Sequence, residues 1–344
     1  MKNRNILCLV LLSLLLLTLF TGCSNGSSQV PGDDYPARSI NGIIAWAAGG
    51  ATDNVMRTIV PLAEKYLGQT IVLSNKPGAT GSIATQYVFT QPADGYTILF
   101  NAENPPLYKI LGLAEIDYDN FIPVILLAKN IGILVAPANS PYNTYEDFIN
   151  DCLANPGKVN VGATGPGGLP FNCLALVKMV EGIEYNLVNF DGDGTLQPAL
   201  IGEQLDISVV AQAAATQYVQ SGQLKALAVF SNERLDTLPD VPALGELNDE
   251  YRRLLDFWGP FYGAFVKEGT DDAIVQILSD AFQKAANEDT FVEFCANLGL
   301  EKLALTGEDA TEFIKKWQST TAWALYEAGA TGDRSPEDFG IERP

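Results

Sequence analysis

Short apolar segments alternate with longer amphipathic ones over most of the chain. The segments SINGIIAW (39–46), QTIVLS (69–74) and YTILF (96–100) have the length and composition of buried strands. Between them lie 53–67 and 81–91, where apolar residues recur at helical spacing. Strands that alternate with helices predict β-α-β units and a parallel sheet at the start of the folded part.

The helix predicted at 53–67 has signals at both ends and an interruption inside. Its apolar face consists of Val55, Ile59, Leu62 and Tyr66. Thr52 or Asp53 is expected to cap its start, and Gly68 is expected to end it. Pro61 lies in its interior, where proline costs about 3 kcal/mol of helix stability, so we expect a kink or a shorter helix.

The middle of the chain repeats this pattern with different residues. Strands are predicted at 121–128, 131–137, 185–190, 205–211 and 224–230, a strand running into a glycine-rich turn at 158–170, helices at 144–155 and 171–182, and a turn and helix at 191–203. From residue 271 onward the pattern is mostly helical, over 271–287, 289–298 and 307–328. Two α/β halves, each with a glycine-rich strand-to-helix turn, predict two lobes that face each other across a ligand-binding cleft.

The first 22 residues have the pattern of an export signal. Lys2 and Arg4 precede the apolar run ILCLVLLSLLLLTLF, and TGC places small residues directly before Cys23, as in a bacterial lipoprotein whose cysteine is acylated. An uncleaved transmembrane helix is the alternative, although this run is shorter than the ~20 residues that a span needs. The polar stretch 23–38 is predicted to be a flexible tether that holds the domain outside the cytoplasm, on the membrane.

The amino-acid composition limits the kinds of functional site that this chain can form. The chain has 344 residues, of which 47% are apolar and 18% are charged, and it contains no histidine. Without histidine the usual general base and the commonest nitrogen ligand of metals are missing, which argues against most hydrolases and metalloenzymes. We therefore predict no enzyme activity, no cofactor and no metal. The formal net charge of −20 is interpreted mainly as a solubility feature, and no nucleic-acid partner is predicted.

Cysteine usage leaves the redox state open. Cys8 belongs to the signal and Cys23 is assigned to the lipid, so Cys152, Cys173 and Cys295 remain. Three cysteines allow at most one disulfide within the chain, and Cys152 with Cys173 is one such pair. Buried free thiols are the alternative.

The segment WAAGGATDN, from Trp46 to Asn54, joins the first predicted strand to the first predicted helix. Glycines at such a junction allow several backbone N–H groups to point at one place, with the positive end of the helix macrodipole behind them. The turn is therefore predicted to hold an anion. Trp46 has two interpretations, an apolar wall for the ligand or a core residue of the first lobe.

Two other segments suggest different chemistry. GATGPGG after the strand KVNV is compatible with the dinucleotide-binding turn of an oxidoreductase, with Glu181 or Glu184 as a loosely placed ribose contact. DGDGT at 191–195 suggests a calcium site, but it supplies two carboxylates where calcium takes six to eight oxygen ligands. Both stay as alternatives to a binding protein, as does a sensory ligand-binding lipoprotein.

A series of motifs resembles one family. In order along the chain these are WAAGGATD (46–53), LSNKPGATGSIATQ (73–86), PADGYTIL (92–99), NPGKVNVGATGPGG (155–168), IGEQLDI (201–207), SGQLKALAV (221–229) and LPDVPALGE (238–246). In order and spacing they resemble the extracytoplasmic solute receptors of the tripartite tricarboxylate transporter system, from about residue 35 onward. The resemblance implies an α/β, periplasmic-binding-protein-like fold of type II, bilobed with two crossover strands. It also implies a receptor that delivers a small carboxylate-bearing solute to membrane permease subunits.

The resemblance further implies lobe limits and a site. Lobe 1 is expected at 39–130 and 260–344, and lobe 2 at 131–259. The carboxylate is expected to be held by main-chain amides of Ala48 to Ala51 and, through ordered water, by the turn from Thr164 to Gly168. The full set of predicted ligand-binding residues is Trp46, Ala48, Gly49, Gly50, Ala51, Thr52, Asp53, Thr164, Gly165, Pro166, Gly167, Gly168, Asp191 and Gly192. The receptor is expected to be a monomer.

Two departures from the family pattern bear on the ligand. Pro166 and Gly168 replace residues that usually bring a hydroxyl or an amide, so side-chain hydrogen bonds are expected to be missing there. Phe190, Asp191 and Gly192 stand where the family commonly has tyrosine, lysine and glycine. The exchange of a lysine for an acid indicates a solute whose distal part is neutral or cationic, as in an amino acid. A loop that simply faces solvent is the alternative.

Overall fold

A computed structural model describes residues 35–164, 167–190 and 193–344, with only the backbone of Asp193 and Gly194. Several predictions concern residues outside this part, namely the export signal, Cys23, most of the tether, Gly165, Pro166, Asp191 and Gly192. Within the part that is described, no helix combines the length and the apolar character needed to cross a membrane.

A six-stranded mixed sheet organises the first lobe. Its strands are β1 (Ile40–Ile44), β2 (Ile71–Asn75), β3 (Thr97–Ala102), β4 (Phe121–Asn130), β10 (Phe261–Lys267) and β11 (Leu300–Leu305). They lie in the order β11-β4-β10-β3-β1-β2, with β1 parallel to β2 and β3, and β10 antiparallel to β3 and β4. β1 is closely packed, because a Cβ on Gly42 would lie 2.7 Å from side-chain carbons of Leu73 and Phe100.

A five-stranded sheet organises the second lobe. Its strands are β5 (Gly132–Pro137), β6 (Asn160–Thr164), β7 (Asn186–Phe190), β8 (Ile207–Ala211) and β9 (Leu224–Val229). They lie in the order β7-β6-β8-β5-β9, with β6 parallel to β7 and β8, and β5 antiparallel to β8 and β9. Parallel strands joined by helices are the β-α-β pattern that the sequence predicts.

Helices of very different lengths connect the strands. They are α1 (Ala51–Leu67), α2 (Ser82–Phe89), α3 (Tyr108–Leu111), α4 (Tyr145–Ala154), α5 (Leu169–Glu181), α6 (Asp193–Ile201), α7 (Gln212–Gln220), α8 (Leu244–Leu247), α9 (Asp249–Leu255), α10 (Asp272–Ala286), α11 (Asp289–Asn297) and α12 (Gly307–Glu327). Short 3₁₀ turns occur at Ala79–Gly81, Pro105–Leu107, Tyr118–Asn120 and Pro336–Phe339. The helices predicted at 144–155, 171–182, 271–287, 289–298 and 307–328 are all present within one or two residues.

The chain passes between the two sheets twice. β4 leads into β5 through Ile131, and the chain returns through the segment before β10. The two passages lie side by side, because the amide of Asn130 donates to the carbonyl of Pro260 at 2.7 Å. The α/β fold with two lobes and two crossover segments is thus confirmed. α12 packs against both α5 of the second lobe and β4 of the first, so this helix bridges the lobes.

Helix α1 differs from its prediction at its start and at Pro61. It begins at Ala51 with Gly50 as the N-cap, and no side chain caps it, so the predicted cap by Thr52 or Asp53 is wrong. It continues through Pro61 to Leu67, and the expectation of a shorter helix is also wrong. Its buried apolar face packs in the core of the first lobe, and this packing outweighs the local cost of proline. Gly68 ends the helix with φ +68°, as predicted.

The sequence pattern missed several elements, among them β11 and α7, whose apolar periodicity is weak. β11 lies in a region predicted to be mostly helical, and its residues are exposed or only partly buried. It forms a strand because the edge of β4 offers it backbone hydrogen bonds, which local sequence does not show. α7 was not predicted either, and only Gln212 and Ala215 are buried in it.

Cys152, Cys173 and Cys295 are free and buried. Of the two alternatives, the structure therefore has the free thiols and not a disulfide between Cys152 and Cys173. Burial raises the pKa of Cys152 to about 12 and that of Cys295 to about 11. These thiols are accordingly protonated at neutral pH and pack as small apolar side chains.

Candidate ligand-binding site

The first glycine-rich turn connects β1 to α1 and lies at the surface. Residues 47–51 are exposed, whereas Thr52 and Asp53 are buried. Gly49 has φ +82°, in the left-handed region that favours glycine. Gly50 has φ −76° and ψ 172°, an extended conformation open to other residues. The backbone of this turn therefore requires the first glycine but not the second.

The buried carboxylate of Asp53 holds the first glycine-rich turn in place by hydrogen bonds. Its carboxylate accepts hydrogen bonds from Gly49 N at 2.9 Å, from Arg57 Nε at 2.8 Å and from Asn75 Nδ2 at 2.8 Å. Its residue is 2% exposed. Arg57 above all, with the Asn75 and Gly49 donors, lowers the pKa of this carboxyl to about 2. Asp53 is thus a structural anion whose charge is paired with Arg57.

Two of the amides that the sequence assigned to the ligand are bonded within the turn. Gly49 N donates to Asp53, as above, and Gly50 N donates to Ala47 O at 3.3 Å. These glycines therefore shape the turn in this structure and do not present free amides. That Gly49 and Gly50 contact the ligand directly stays a prediction.

Several amides of the same turn remain free to bind. Among the described residues, the N–H groups of Ala48, Ala51 and Thr52 have no acceptor. Ala51 and Thr52 open the first turn of α1, where amides have no intrahelical partner. They lie at the positive end of the macrodipole, and because Arg57 balances the charge of Asp53, that positive end is not cancelled. The arrangement can hold a small anion such as a carboxylate.

Trp46 belongs to the structure that supports this turn. Its indole Nε1 donates to Asn101 Oδ1 at 3.0 Å, and its carbonyl accepts from Asn75 Nδ2 at 2.9 Å. Its partly buried ring packs against the apolar clusters on both faces of the first sheet. Asn101, which is fully buried, also donates to Thr85 Oγ1 at 3.1 Å and so joins the first turn to α2. Sequence analysis missed Asn101.

A second loop at the same sheet edge has strained backbone. It follows β2, and Ala79 and Thr80 have φ +45° and +55° between the positive-φ glycines Gly78 and Gly81. Non-glycine residues in this region cost about 1–3 kcal/mol each, and such strain occurs often at functional sites. Tyr108 holds the loop by donating its hydroxyl hydrogen to Thr80 O at 2.7 Å. The motif PGATG was recognised in the sequence, but no site residue was assigned to it.

A third loop follows β3 and contributes buried polar residues. Glu103 and Asn104 are 7% and 5% exposed. β1, β2 and β3 are parallel, so the loops that follow them gather at one edge, where α/β proteins bind ligands. Neither residue was predicted. The signal was present as NAEN directly after the apolar strand YTILF, because polar residues at a strand's carboxyl end are common in binding sites.

The glycine-rich turn of the second lobe touches this third loop. Thr164 ends β6, Gly168 is the N-cap of α5, and Gly167 is buried with φ +90°. Asn104 Nδ2 donates to Gly167 O at 3.2 Å. The two lobes are therefore in contact at the cleft, through the predicted turn of the second lobe and a loop of the first lobe that sequence analysis did not assign to the site.

The dinucleotide alternative finds no support in the placement of the acids named for it. Glu181 accepts a hydrogen bond from Tyr145 OH at 2.9 Å, and Glu184 accepts one from Lys178 Nζ at 2.8 Å. Both carboxylates are therefore engaged at the far end of α5. The calcium alternative depends on the loop at 191–195, part of which lies outside the described residues. Within the described residues, no group of three or more Cys, Asp or Glu side chains could hold a metal ion.

A cavity of about 1060 Å³ lies away from the two glycine-rich turns, and Pro106, two residues after Asn104, lines it. It is bounded by α9, α12 and the C-terminal residues 338–344. Its wall carries both lysines and aspartates, and it includes none of the residues of the glycine-rich turns. Size alone therefore does not place the ligand site there, because the converging unpaired groups are at the cleft.

Comparison with known sequences gives one consistent result. A family model described as tripartite tricarboxylate transporter family receptor matches residues 55–325. The protein named UPF0065 protein in gbd 5′region, from Cupriavidus necator, is 31% identical over 301 residues, 86% of this chain and 89% of that protein. Protein BugT from Bordetella pertussis is 27% identical over 321 residues, 92% of this chain and 97% of that protein.

Solved structures agree with the sequence matches. A TctC solute binding protein from Polaromonas has a TM-score of 0.72 and 27% identity, and the match covers 86% of this chain and 99% of that one. MatC of Rhodopseudomonas palustris with bound malate has a TM-score of 0.66 and 24% identity, over 83% of this chain and 100% of that one. An R. palustris protein with adipate has a TM-score of 0.68 and 22% identity, and the match covers 87% of this chain and 99% of that one. The last two similarities show the fold alone.

Proposed function

The chain belongs to the tripartite tricarboxylate transporter receptor family, and on that premise we propose that it captures a small carboxylate outside the cytoplasm for a membrane permease. Its family is one of solute-binding receptors. The proposed chemistry is reversible binding by backbone amides, with no bond made or broken. The malate and the adipate in the two related structures are small carboxylates, which is the ligand class proposed here.

One observation carries this proposal. The amides of Ala48, Ala51 and Thr52 have no acceptor among the described residues, and those of Ala51 and Thr52 open the first turn of α1. A carboxylate needs several donors within a few ångströms, and hydrogen bonds to a charged acceptor are about twice as strong as neutral ones. The donors are fixed before binding by the Asp53 carboxylate, so little conformational entropy is lost when the ligand arrives.

The second lobe is proposed to close over the bound solute. Its own helix start is a poorer anion site, because Pro170 occupies the second position of α5 and has no N–H group. The bond from Asn104 to Gly167 O gives closure a specific contact. The first lobe therefore supplies the carboxylate contacts, and the second lobe encloses the remainder of the solute by a hinge motion at the crossover segments.

The proposal includes attachment to the membrane through a lipid on Cys23, delivery to permease subunits and action as a monomer. A sensory role for the same binding site, without transport, is the alternative. Cys23→Ala tests attachment directly, because the cysteine lies in the tether and not in the folded part. The variant is expected to lose palmitate labelling while solute binding is unchanged. Continued labelling would show that Cys23 is not the lipid site.

Binding is tested by a thermal-shift screen of mono-, di- and tricarboxylates, followed by calorimetry of the best ligand. A ligand at one hundred times its Kd adds about 2.7 kcal/mol of stability, which gives a clear shift. The comparison that identifies the site is Gly49→Ala against Gly68→Ala. These glycines flank α1, have φ +82° and +68°, and have open space where a Cβ would be.

Both substitutions are expected to cost about 1–2 kcal/mol of stability, since alanine is strained at positive φ. Only Gly49→Ala is expected to weaken carboxylate binding, by at least tenfold, because it displaces the amides of Ala48 and Ala51. Undiminished affinity in a folded Gly49→Ala protein would show that this turn is not the site.

A further inference from the structure

Glu103 differs from the other buried charged side chains of the described residues. Each of the others has an ion pair, namely Asp53 with Arg57, Asp117 with Lys109 and Lys129 with Glu301. Glu103 has neither an ion pair nor a hydrogen bond to another described residue, and only its own backbone amide favours its charged form. A buried carboxyl without a partner is costly, so its retention calls for an explanation.

The surroundings of Glu103 supply no donor. The charge of Glu103 contributes to raising the pKa of Tyr108 and of Tyr118, and both tyrosines are largely buried. Tyr108 OH donates to Thr80 O at 2.7 Å and Tyr118 OH donates to Ala102 O at 2.6 Å. Both hydroxyl hydrogens are therefore used, and burial raises the pKa of each tyrosine, so both are neutral at pH 7.

Asn104, the next residue, has a second unused acceptor. Its Nδ2 donates to Gly167 O of the second lobe, and its Oδ1 takes no part in that hydrogen bond. Oδ1 is buried and has no hydrogen-bond partner among the described residues. Glu103 and Asn104 thus follow one another on the loop after β3, and each has a side-chain acceptor with no donor from another described residue.

We propose that Glu103 and Asn104 receive a primary ammonium group of the bound solute, so that the ligand is a carboxylate that also carries an amino group. This inference rests on the proposed function, because the carboxylate is placed on the first turn. An ammonium group has three donors and a positive charge, which satisfies both unpaired acceptors at once.

The alternative is a neutral Glu103 that donates a hydrogen bond to a second carboxylate or a carbonyl of the solute. It would satisfy Glu103 but leave Asn104 Oδ1 buried and unpaired, since an acceptor cannot bind an acceptor. The ammonium is favoured because it serves both residues.

The protonation state of Glu103 gives a measurable consequence. Burial raises the pKa of Glu103 to about 8, so the carboxyl is mostly protonated at pH 7 before an ammonium arrives. The ammonium stabilises the carboxylate, and the proton of Glu103 passes to the buffer. Binding of an amino carboxylate at pH 7 should therefore release about one proton per solute.

The test compares solutes that differ only in the amino group, with aspartate against succinate, glutamate against glutarate and 6-aminohexanoate against hexanoate as probes. Calorimetry at pH 7 on the wild-type protein, in buffers of different ionisation enthalpy, measures affinity and proton release together. Glu103→Gln keeps the size of the side chain and removes the negative charge. Glu115→Gln, an exposed position farther along the chain, is the matched control.

The wild-type protein is expected to bind the amino member of at least one pair tenfold or more tightly, with proton release. Glu103→Gln should reduce that preference at least tenfold and abolish the release, while Glu115→Gln changes neither. Equal or tighter binding of the members without an amino group, unaffected by Glu103→Gln, would overturn this inference and leave the carboxylate site intact. Failure of every carboxylate to bind the wild-type protein would instead overturn the proposed function, and this inference with it.

Discussion

Asp53, in the first turn of α1, and Glu103, on the loop after β3, are buried carboxyl groups just beyond the ends of the adjacent strands β1 and β3. Their residues are 2% and 7% exposed, so burial hardly distinguishes them. Asp53 accepts hydrogen bonds from Arg57, Asn75 and Gly49, and its pKa is lowered to about 2. Glu103 has no such partner, and burial raises its pKa to about 8. Hydrogen-bond partners lower the pKa of Asp53, and burial without such partners raises that of Glu103.

The segments that carry Asp53 and Glu103 differ in how far their hydrogen bonds are completed before a ligand binds. The loop of Asp53 has its internal hydrogen bonds made and offers spare amides outward, so it is complete before the solute binds. The loop of Glu103 has acceptors that the protein does not satisfy, so it gains most when a donor-bearing solute arrives. In the proposed receptor, the first loop would provide affinity for any carboxylate and the third would provide selectivity.

The largest effect on stability is expected from Asp53→Asn. The amide side chain has no charge for Arg57 and presents its own N–H groups to the Gly49 and Asn75 donors. We expect the free energy of unfolding, measured with urea, to fall by about 2 kcal/mol. Asp309→Asn is the control, because Asp309 is the third residue of α12 as Asp53 is of α1 but is exposed.

The Asp309→Asn change should stay within about 0.5 kcal/mol, as is usual for surface positions. Equal losses in the two variants would show that Asp53 acts only as a helix-start acid. In that case the hydrogen bonds of Asp53 would not stabilise the first turn, and Asp53 would not differ from Glu103 in this respect.

Glu103 is expected to make the protein less stable as pH rises. Since its pKa in the folded protein lies above the ordinary value of 4.5, the folded state holds a proton that the unfolded state releases. Its stabilising effect is complete below about pH 4.5 and is lost as pH rises through about 8, by an amount of the order of 1–2 kcal/mol. Urea unfolding at pH 5 and pH 8.5 measures it. Glu103→Gln should flatten this decline, and an unchanged slope in the variant would contradict the pKa assignment.

Asp53 is expected to act in the opposite direction, at acid pH. Its pKa in the folded protein lies below the ordinary value of 3.8, so its contribution is present above about pH 4 and is lost as pH falls through about 2. The loss should be about 1 kcal/mol, because the Arg57 partner is half-exposed and screened by solvent. The difference between the wild type and Asp53→Asn should shrink between pH 4 and pH 2. A constant difference over that range would argue against the low pKa.

The smallest effect is expected at the contact between the lobes. Asn104→Ala removes the hydrogen bond to Gly167 O and should disfavour closure by at most about 1 kcal/mol, or up to about fivefold in the Kd of a carboxylate without an amino group. Asn287→Ala removes an amide-to-carbonyl bond within one helix end and should leave that Kd unchanged. Equal affinity in both variants would show that the contact does not contribute to closure.

The two glycine-rich turns show what a sequence pattern predicts and what it leaves undetermined. WAAGGATD and GATGPGG look alike as strand-to-helix turns, and both were predicted to line the cleft. In the structure the first is exposed and bonded internally to Asp53, whereas Gly167 of the second is buried beneath Asn104 of the other lobe. Hydrogen bonds between residues far apart in the chain make the difference, and no local pattern encodes them.

The sequence by itself determined the alternation of strands and helices, the two-lobed α/β fold and the position of the first turn. These follow from apolar periodicity and glycine placement, which act over a few residues. Tertiary structure alone decided that β11 is a strand, that Gly49 N is committed to Asp53, and that Glu103 has no partner. Each of these depends on which groups meet across long chain separations, where a hydrogen bond or an ion pair is either completed or left open.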